Sequence, residues 1–328
     1  MLQQTRVTTV LDYYERFLRR FPTLKALAGA QRQEVLKEWE GLGYYRRAVH
    51  LHEAAKQLSL RRSDLPESTE ELRRLPGVGS YTAAAIASIA FGIPVAAVDG
   101  NVARILARLL GLPEQRSRTS DTRRLQAAAD ALLSKSRPGD FNQAWMDLGS
   151  LICTPRAQSC PSCPLRGECH FAETSHPAAS NNPTGVKRKK APKLAQWTAT
   201  VYLRRGRMLV RRRPESGLWS GLWEFPTDEI TPNRRARGFG AHGKFVGIVS
   251  HELTHLSLRI RVRVSTGDHE VPISDKSSRW VTVDQFSALP VSTAYRKVFD
   301  KARPCVEFTL KNRAMASIST PSPVQIGV

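Results

Sequence analysis

The sequence predicts a mostly helical first domain followed by a smaller α+β domain. In the first half of the 328 residues, apolar side chains recur every three or four positions, as on the buried face of a helix. After residue 195, apolar and polar side chains alternate, which is the period of a half-buried strand. Residues 172–194, between the two patterns, are rich in Ala, Pro, Ser, Asn and Lys, a composition typical of a linker.

The helices of the first half are separated by turns that glycine or proline marks. The first helix is predicted within residues 3–21, where the apolar side chains from Val7 to Phe21 share one face. Further helices are predicted at about 31–39, 45–58, 69–75, 81–91, 101–110, 121–134 and 141–152.

The segment Leu75-Pro76-Gly77-Val78-Gly79 joins two of these helices. A turn built from glycines can present bare backbone N–H groups at the start of the next helix, where the partial positive charge favours a phosphate oxygen. Such a turn holds a DNA backbone without reading its sequence. An ordinary turn between two helices fits the same residues, so both interpretations remain open at this point.

Asp99-Gly100-Asn101 follows an apolar stretch and precedes a predicted helix. Taken alone, Asp99 is most simply the N-cap of that helix, because its carboxylate can accept hydrogen bonds from the first free N–H groups. The residue therefore indicates a chemical role only through its position among the other motifs.

Four cysteines occur within seventeen residues at the spacing C-x6-C-x2-C-x5-C: Cys153, Cys160, Cys163 and Cys169. The chain has five cysteines in 328 residues and no secretion signal pattern, so a disulfide framework is not expected. Structural zinc and a four-iron cluster are both compatible with four thiolates. Zinc ribbons usually have two C-x2-C pairs and this chain has one, so the spacing favours an iron–sulfur cluster.

The composition predicts a polyanionic partner. Lys and Arg number 50 against 29 Asp and Glu, which gives a net charge of +21 spread along the chain, as expected of a protein that binds nucleic acid. No apolar run reaches the roughly 18 residues of a membrane span, and the first residues lack a signal-peptide pattern. We therefore expect a cytoplasmic protein, nucleoid-associated if bacterial.

The second domain is predicted to contain strands and one final helix. The alternating pattern places strands at Thr198–Leu203, Met208–Arg212, Lys244–Ser250, Leu256–Val264 and Trp280–Val283. The helix is predicted near residues 294–302. Residues 306–328 are predicted to be a disordered tail, since apolar periodicity is absent from residue 312 onward.

The order of these elements and several local motifs resemble the helix-hairpin-helix DNA glycosylases of the endonuclease III superfamily and, more narrowly, the adenine DNA glycosylases. The resemblance covers residues 1–305. It implies a helical glycosylase domain with a [4Fe-4S] loop at 1–171, a linker at 172–194 and a Nudix-like 8-oxoguanine recognition domain at 195–305. The matching stretches are MLQQTRV (1–7), GLGYYRRA (41–48), LPGVGSYTAAAI (75–86), VDGNVARIL (98–106), FNQAWMDLGSLIC (141–153), RRRPESGLWSGLWEFP (211–226) and HELTHLSL (251–258).

The resemblance also implies a reaction. Bifunctional relatives have a catalytic lysine at the position of Tyr81, so this chain is expected to be monofunctional and to hydrolyse the N-glycosidic bond without cutting the strand. The implied substrate is adenine mispaired with 8-oxoguanine or guanine. By resemblance, Asp99 is the anion that stabilises the sugar cation and helps to activate water, while Asn101 and Tyr81 orient the site.

The implied partner is double-stranded DNA that contains such mispairs, bound by a monomer. Gln4 and Tyr44 resemble the residues that enter the duplex and hold the adenine outside the stack. Thr254 and His255 resemble the residues that contact 8-oxoguanine. The chain after Gly221 lacks the carboxylate helix of a Nudix hydrolase, so the second domain is expected to recognise DNA rather than to hydrolyse pyrophosphates.

The general acid of the family has no counterpart in this sequence. The family pattern E-V-M-L-Q-Q-T has a glutamate two residues before the methionine that matches Met1. One hypothesis is that the start was assigned to an internal Met codon and that the natural protein is longer. The alternative is a catalytically impaired protein that still binds mismatched DNA.

Overall fold

The computed structural model describes residues 1–61, 64–112, 119–155, 157–174, 192–230, 243–266 and 277–318. They belong to two compact units: residues 1–56 together with 190–328 form the first, and residues 57–189 form the second. Within the described ranges, no helix combines the length and the apolar composition that a membrane crossing requires.

The elements follow the order that the sequence predicts, helices before strands. The helices are α1 (Val7–Arg20), α2 (Leu24–Gly29), α3 (Arg32–Glu38), α4 (Arg46–Arg61), α5 (Thr69–Leu72), α6 (Ser80–Phe91), α7 (Gly100–Leu109), α8 (Thr119–Leu132), α9 (Pro138–Asp147), α10 (His170–Thr174), α11 (Val283–Ala288) and α12 (Thr293–Ile318). A π-helix, Leu148–Ile152, follows α9, and two short 3-10 turns, Cys160–Ser162 and Arg166–Glu168, precede α10. The strands are β1 (Lys193–Arg204), β2 (Arg207–Arg212), β3 (Trp223–Glu224), β4 (Thr227–Ile230), β5 (Lys244–Glu252), β6 (Leu256–Thr266) and β7 (Ser278–Val281).

The strands form one mixed sheet in the first unit. Its order is β3-β2-β1-β6-β5, with β4 beside β1 and β7 beside β2. Strands β1 and β6 are parallel, and the other pairs are antiparallel. Every residue of β1 from Trp197 to Leu203 is buried, so both faces of the sheet are covered along this central strand.

The amino-terminal helices belong to the same unit as the sheet because they share its hydrophobic core. Leu36 of α3 is fully buried in that core, as is Ile260 of β6. A polar contact adds to this packing, since the indole N–H of Trp223 donates to Gln33 Oε1 at 2.8 Å. The domain limits predicted from the sequence, with residues 1–171 together, stay a prediction.

The second unit is helical and has its own core. Val102, Ile105 and Leu106 of α7 pack with Ala129 of α8 and Trp145 of α9. These apolar positions recur every three or four residues, so α7 buries one face.

Two polar side chains hold the loop before α7. Asn142 is buried, accepts the N–H of Ala97 at 2.9 Å and donates to the carbonyl of Val95 at 2.9 Å. Asp130 accepts the N–H of Ala96 at 3.0 Å. The residue that opens α7, Asp99, is therefore carried by a loop with satisfied backbone groups.

The strands predicted at residues 198–203, 208–212, 244–250 and 256–264 and the longer predicted helices are confirmed, and the strand predicted at Trp280–Val283 is found at Ser278–Val281. The shorter elements α2, α10, α11, β3 and β4 were not predicted. The prediction of a disordered tail from residue 306 is wrong for residues 306–318, which continue α12. The physical reason is that Val306 is buried and Leu310 packs against the core. Residues 319–328 and most of the predicted linker, residues 175–191, lie outside the described residues.

Candidate functional site

The glycine turn before α6 has the geometry that its sequence predicts. Gly77 has a φ of +75°, in the left-handed region that favours glycine. Gly79 is the N-cap of α6 and offers no capping side chain. Gly77 and Gly79 are exposed, and Val78 is partly buried. The first N–H groups of a helix in general lack partners within that helix, so a glycine turn at this position suits an anion such as a phosphate.

Asp99 caps α7, as the sequence predicts. Its Oδ1 accepts the backbone N–H of Asn101 and of Val102, both at 2.8 Å, and its Oδ2 accepts the side-chain amide of Asn101 at 3.1 Å. Three N–H donors at a helix amino terminus therefore fix the carboxylate in place. A carboxylate has about four acceptor sites, so capping leaves capacity for a further partner.

Tyr81 lies in the first turn of α6. Its hydroxyl group donates to Met146 Sδ at 3.5 Å. Burial and, second, the charge of Asp99 raise the pKa of the Tyr81 phenol. The phenol therefore stays protonated at neutral pH, and the position offers a neutral donor rather than a nucleophile.

A buried arginine connects Asn101 with the cysteine loop. Arg104 donates to Asn101 Oδ1 at 3.0 Å and to the carbonyl of Cys153 through Nε at 3.1 Å and Nη2 at 2.9 Å. The same Nη2 donates to the carbonyl of Gly149 at 2.9 Å. One chain of hydrogen bonds thus runs from Asp99 through Asn101 and Arg104 to the first cysteine.

The four predicted metal ligands, Cys153, Cys160, Cys163 and Cys169, line one cavity beside α7. Burial and then the three neighbouring cysteines raise the pKa of the Cys160 thiol, which the charge of Arg108 opposes. Four sulfur ligands that converge on one cavity are the donor set of a metal centre.

Zinc and a four-iron cluster are both bound in proteins by four thiolate ligands. Among the described residues, no group of three or more His, Cys, Asp or Glu side chains is arranged to hold a single metal ion. A cluster of four iron atoms keeps its thiolate ligands farther apart than one tetrahedral zinc ion does. A donor set of four thiolates fits either group.

Arg108 supplies a positive charge at this cavity. Its guanidinium is buried, donates to Cys153 Sγ at 3.2 Å and to the carbonyl of Thr154 at 3.0 Å, and lies over the ring of Phe171 at 5.2 Å. A cation that donates to a thiolate stabilises its ionised, metal-binding form.

In the first unit, Arg47 holds the segments that carry Gln4 and Tyr44. Its guanidinium donates to the carbonyls of Met1 and Gln3 on one side and of Gly43 on the other, and it lies over the ring of Tyr44 at 5.6 Å. Gln4 and Tyr44 both have positive φ, +60° and +48°, which costs energy in non-glycine residues. Both side chains are exposed.

The structure brings Tyr44 to the loop between β5 and β6. The Tyr44 hydroxyl group and Thr254 Oγ1 share a hydrogen bond of 2.8 Å. Leu253 donates its N–H to the carbonyl of Leu256 at 2.8 Å, which closes the loop tightly. His255 follows Thr254 with an exposed side chain. The residues predicted to contact the mispair therefore occupy one surface of the first unit.

Sequence reasoning missed the residues that position these groups, namely Arg47, Arg104, Arg108 and Asn142. One available signal was the four-residue spacing of Arg104 and Arg108, which places both on the same side of α7.

Two family models match the chain. Residues 1–130 match the HhH-GPD superfamily of base excision DNA repair proteins, and residues 198–301 match the NUDIX domain. The helix-hairpin-helix and Nudix-like folds predicted from the sequence are therefore confirmed.

Curated relatives named adenine DNA glycosylase align along most of the chain. The protein of Homo sapiens is 35% identical over 91% of this chain and 66% of its own length. The protein of Rattus norvegicus is 33% identical over 98% of this chain and 74% of its own length. The protein of Arabidopsis thaliana is 38% identical over 91% of this chain and 57% of its own length. The chain thus spans between about half and three quarters of the length of these relatives.

Proposed function

Because the chain belongs to the family of adenine DNA glycosylases, we propose that it hydrolyses the N-glycosidic bond of adenine mispaired with 8-oxoguanine or guanine in double-stranded DNA. The observation that carries this proposal is the Asp99 carboxylate, which three N–H donors hold at the start of α7.

The proposed chemistry depends on that fixed anion. As the bond from the sugar to adenine lengthens, the sugar develops the positive charge of an oxocarbenium ion. A preorganised carboxylate stabilises such a charge without reorganisation during the reaction. Asp99 acts in this way and accepts a proton from the attacking water, and the departing adenine takes up a proton from solvent. The Asn101 amide fixes the orientation of the Asp99 carboxylate. Tyr81 offers a neutral phenol and no amine, so the reaction ends at hydrolysis and the strand stays intact.

The proposed cofactor is a [4Fe-4S] cluster held by the four cysteines that share one cavity. When bound, the cluster would supply a covalent centre that holds the four cysteines together, and no reaction step is assigned to it. The positive charge of Arg108 beside Cys153 and the exposed Arg166 make this loop basic, which suits contact with a DNA backbone.

The proposed contacts with DNA divide into two kinds. The turn Gly77–Gly79 binds the backbone through N–H groups and therefore without sequence preference. Gln4, Tyr44, Thr254 and His255 contact the opened base pair, after the adenine has left the stack. A cytoplasmic monomer that acts on DNA agrees with the net charge of +21.

The proposal is tested by single-turnover release of adenine from an 8-oxoguanine:adenine duplex. Asp99→Asn keeps a side chain that caps helices equally well, so the fold should persist while release falls by about 100-fold or more. Asp140→Asn, at an exposed carboxylate, is the control. Each substitution is made both in this chain and in a chain extended by Glu-Val before Met1. These are the two residues that precede the matching methionine in the family pattern.

If the Asp99→Asn variant releases adenine at the rate of the unchanged chain, Asp99 has no part in the mechanism. Tight binding to the mispair with no release from either version would indicate a mismatch-binding protein instead.

A further inference from the structure

Strand β6 carries a row of arginines on one face of the sheet. Leu258, Ile260 and Val262 are fully buried and point into the core. Successive side chains of a strand point to opposite faces, so the residues between them face the other way. This row consists of Arg259, Arg261 and Arg263.

Two of these arginines have their charge available. Arg259 and Arg261 are exposed, and neither forms an ion pair with a carboxylate of the described residues. Arg263 is more buried and donates through Nε and Nη2 to the carbonyl of Gly243, at 3.0 and 2.6 Å. Arg259 and Arg261 are therefore the candidates for binding an external ligand, whereas Arg263 also holds the carbonyl of Gly243 in place.

The neighbouring strands leave this row accessible. On β5, Ser250 pairs with Arg259 and Ile248 with Arg261. The guanidinium of Arg261 lies over the exposed ring of Phe245 at 5.5 Å. Among the strands of the described residues, β5 lies at the edge of the sheet, so the face continues to its rim.

Carboxylates of the described residues also lie on this face. Glu252 pairs with Ser257 and accepts its hydroxyl group at 2.7 Å, so it lies at one end of the row. Asp228 of β4 pairs with Thr198 of β1, and Thr198 pairs with Arg261 of β6. Asp228 therefore lies two strands away from the arginine row. The centre of the row therefore keeps a positive charge.

The spacing of the row selects the ligand. Alternate residues of a strand are about 7 Å apart, so three arginines extend over roughly 13 Å. One strand of B-DNA has a phosphate for about every 3.4 Å of helix axis, and arginine binds phosphate oxygens with its planar donors. We propose that this arginine row, Arg259 and Arg261 with Arg263, is a second DNA-backbone site, separate from the residues assigned to the mispair. The inference rests on the proposed function only for the choice of DNA as the ligand.

The site is tested by the salt dependence of binding to an undamaged duplex. Each phosphate contact contributes about 0.9 to the slope of log K against log salt concentration. Arg259→Gln combined with Arg261→Gln should lower that slope by about 1.8 relative to the unchanged chain. Arg263 is left in place because it holds Gly243.

The matched control removes two positive charges from α12, with Lys297→Gln and Lys301→Gln. Both lysines are exposed. Helix α12 packs on the side of the sheet that Ile260 faces, which is opposite to the arginine row. This control should retain the slope of the unchanged chain. Equal slopes for the two double variants would overturn the proposal, provided that both melt at the temperature of the unchanged chain.

Two further outcomes separate the alternatives. Suppose that no version of the chain releases adenine, but Arg259→Gln combined with Arg261→Gln still lowers the slope of log K against log salt concentration. The proposed function is then wrong, and the DNA-backbone site at the arginine row is supported. Alternatively, the variant with Arg259→Gln and Arg261→Gln loses binding to vesicles of anionic lipid but keeps the salt dependence of its binding to DNA. In that case the row binds a membrane surface and the proposal is wrong.

Discussion

Arg104 positions Asn101, whose side-chain amide donates to Asp99. Its guanidinium is only 9% exposed and donates to Asn101 and to the carbonyls of Gly149 and Cys153. Lysine would keep the charge but not the planar fork that serves several acceptors at once. The shape of this cation therefore orients Asn101, and Asn101 in turn orients Asp99.

We expect Arg104→Lys to slow adenine release because it leaves buried carbonyls without their shared donor. Single-turnover release should fall by about 10-fold or more, which corresponds to about 1.4 kcal/mol. The iron content per chain should fall as well, since Cys153 loses its support. Arg137→Lys is the control, because that guanidinium is 76% exposed and pairs with Asp140. Equal rates and equal iron contents for the two variants would contradict the role of Arg104.

The residues to which we assign chemistry stand out in the sequence, whereas those that position them do not. Tyr81, Asp99 and the cysteines stand in motifs whose spacing is visible in one dimension. Arg104 and Arg108 are two among the 50 Lys and Arg residues, and their four-residue spacing in α7 does not identify their partners. Their partners become visible only when residues 148–154 lie against α7 in three dimensions.

Among the elements, the π-helix Leu148–Ile152 places the carbonyls that Arg104 binds. A Cβ atom at Gly149 would lie 3.0 Å from Asn101 Cβ and 3.3 Å from Ile105 Cδ1. Both neighbours belong to α7, so glycine permits the close approach of the two helices. Single π-helical turns are frequent at functional sites, and this one brings the cysteine loop to the helix that Asp99 caps.

Gly149→Ala should therefore separate the π-helix from α7. Overpacking of this kind costs about 1–3 kcal/mol, which urea unfolding of the purified protein measures. Adenine release should slow in the same variant because Arg104 loses its register with the Gly149 carbonyl. Gly167→Ala is the control, since a Cβ atom there meets nothing within 4 Å, and its effect should stay within about 0.5 kcal/mol. Equal unfolding free energies for the two variants would show that the approach is not tight.

Element length explains which parts of the fold the sequence predicted. The long helices and strands repeat their apolar pattern several times, so periodicity identifies them. Helices α2 and α11 have six residues each, which is too few for a repeat to emerge. Local caps define them instead: Thr23 accepts the N–H of Ala26, and Thr282 forms a capping box with Gln285.

For the whole molecule, the unexpected feature is that the first 56 residues share a unit with the carboxyl-terminal sheet. Arg296 of α12 donates to both carboxylate oxygens of Glu40, at 2.6 and 3.1 Å. Lys37 donates to the carbonyl of Ser287 at 2.7 Å. These partners are about 250 residues apart in sequence, and no local pattern reveals such a pairing.

Arg296→Gln should loosen α3 from the sheet. The side chains of Arg296 and Glu40 are 23% and 16% exposed, so removal of the cation leaves a mostly buried carboxylate without its main partner. Partial exposure screens the pair, and we expect a loss of about 1–2 kcal/mol in the opening free energy of residues 32–40, measured by hydrogen exchange. Arg303→Gln breaks an exposed pair on the same helix and should change that value by less than about 0.5 kcal/mol. Exchange rates in α3 that are identical in the two variants would show that packing alone holds the amino-terminal helices to the sheet.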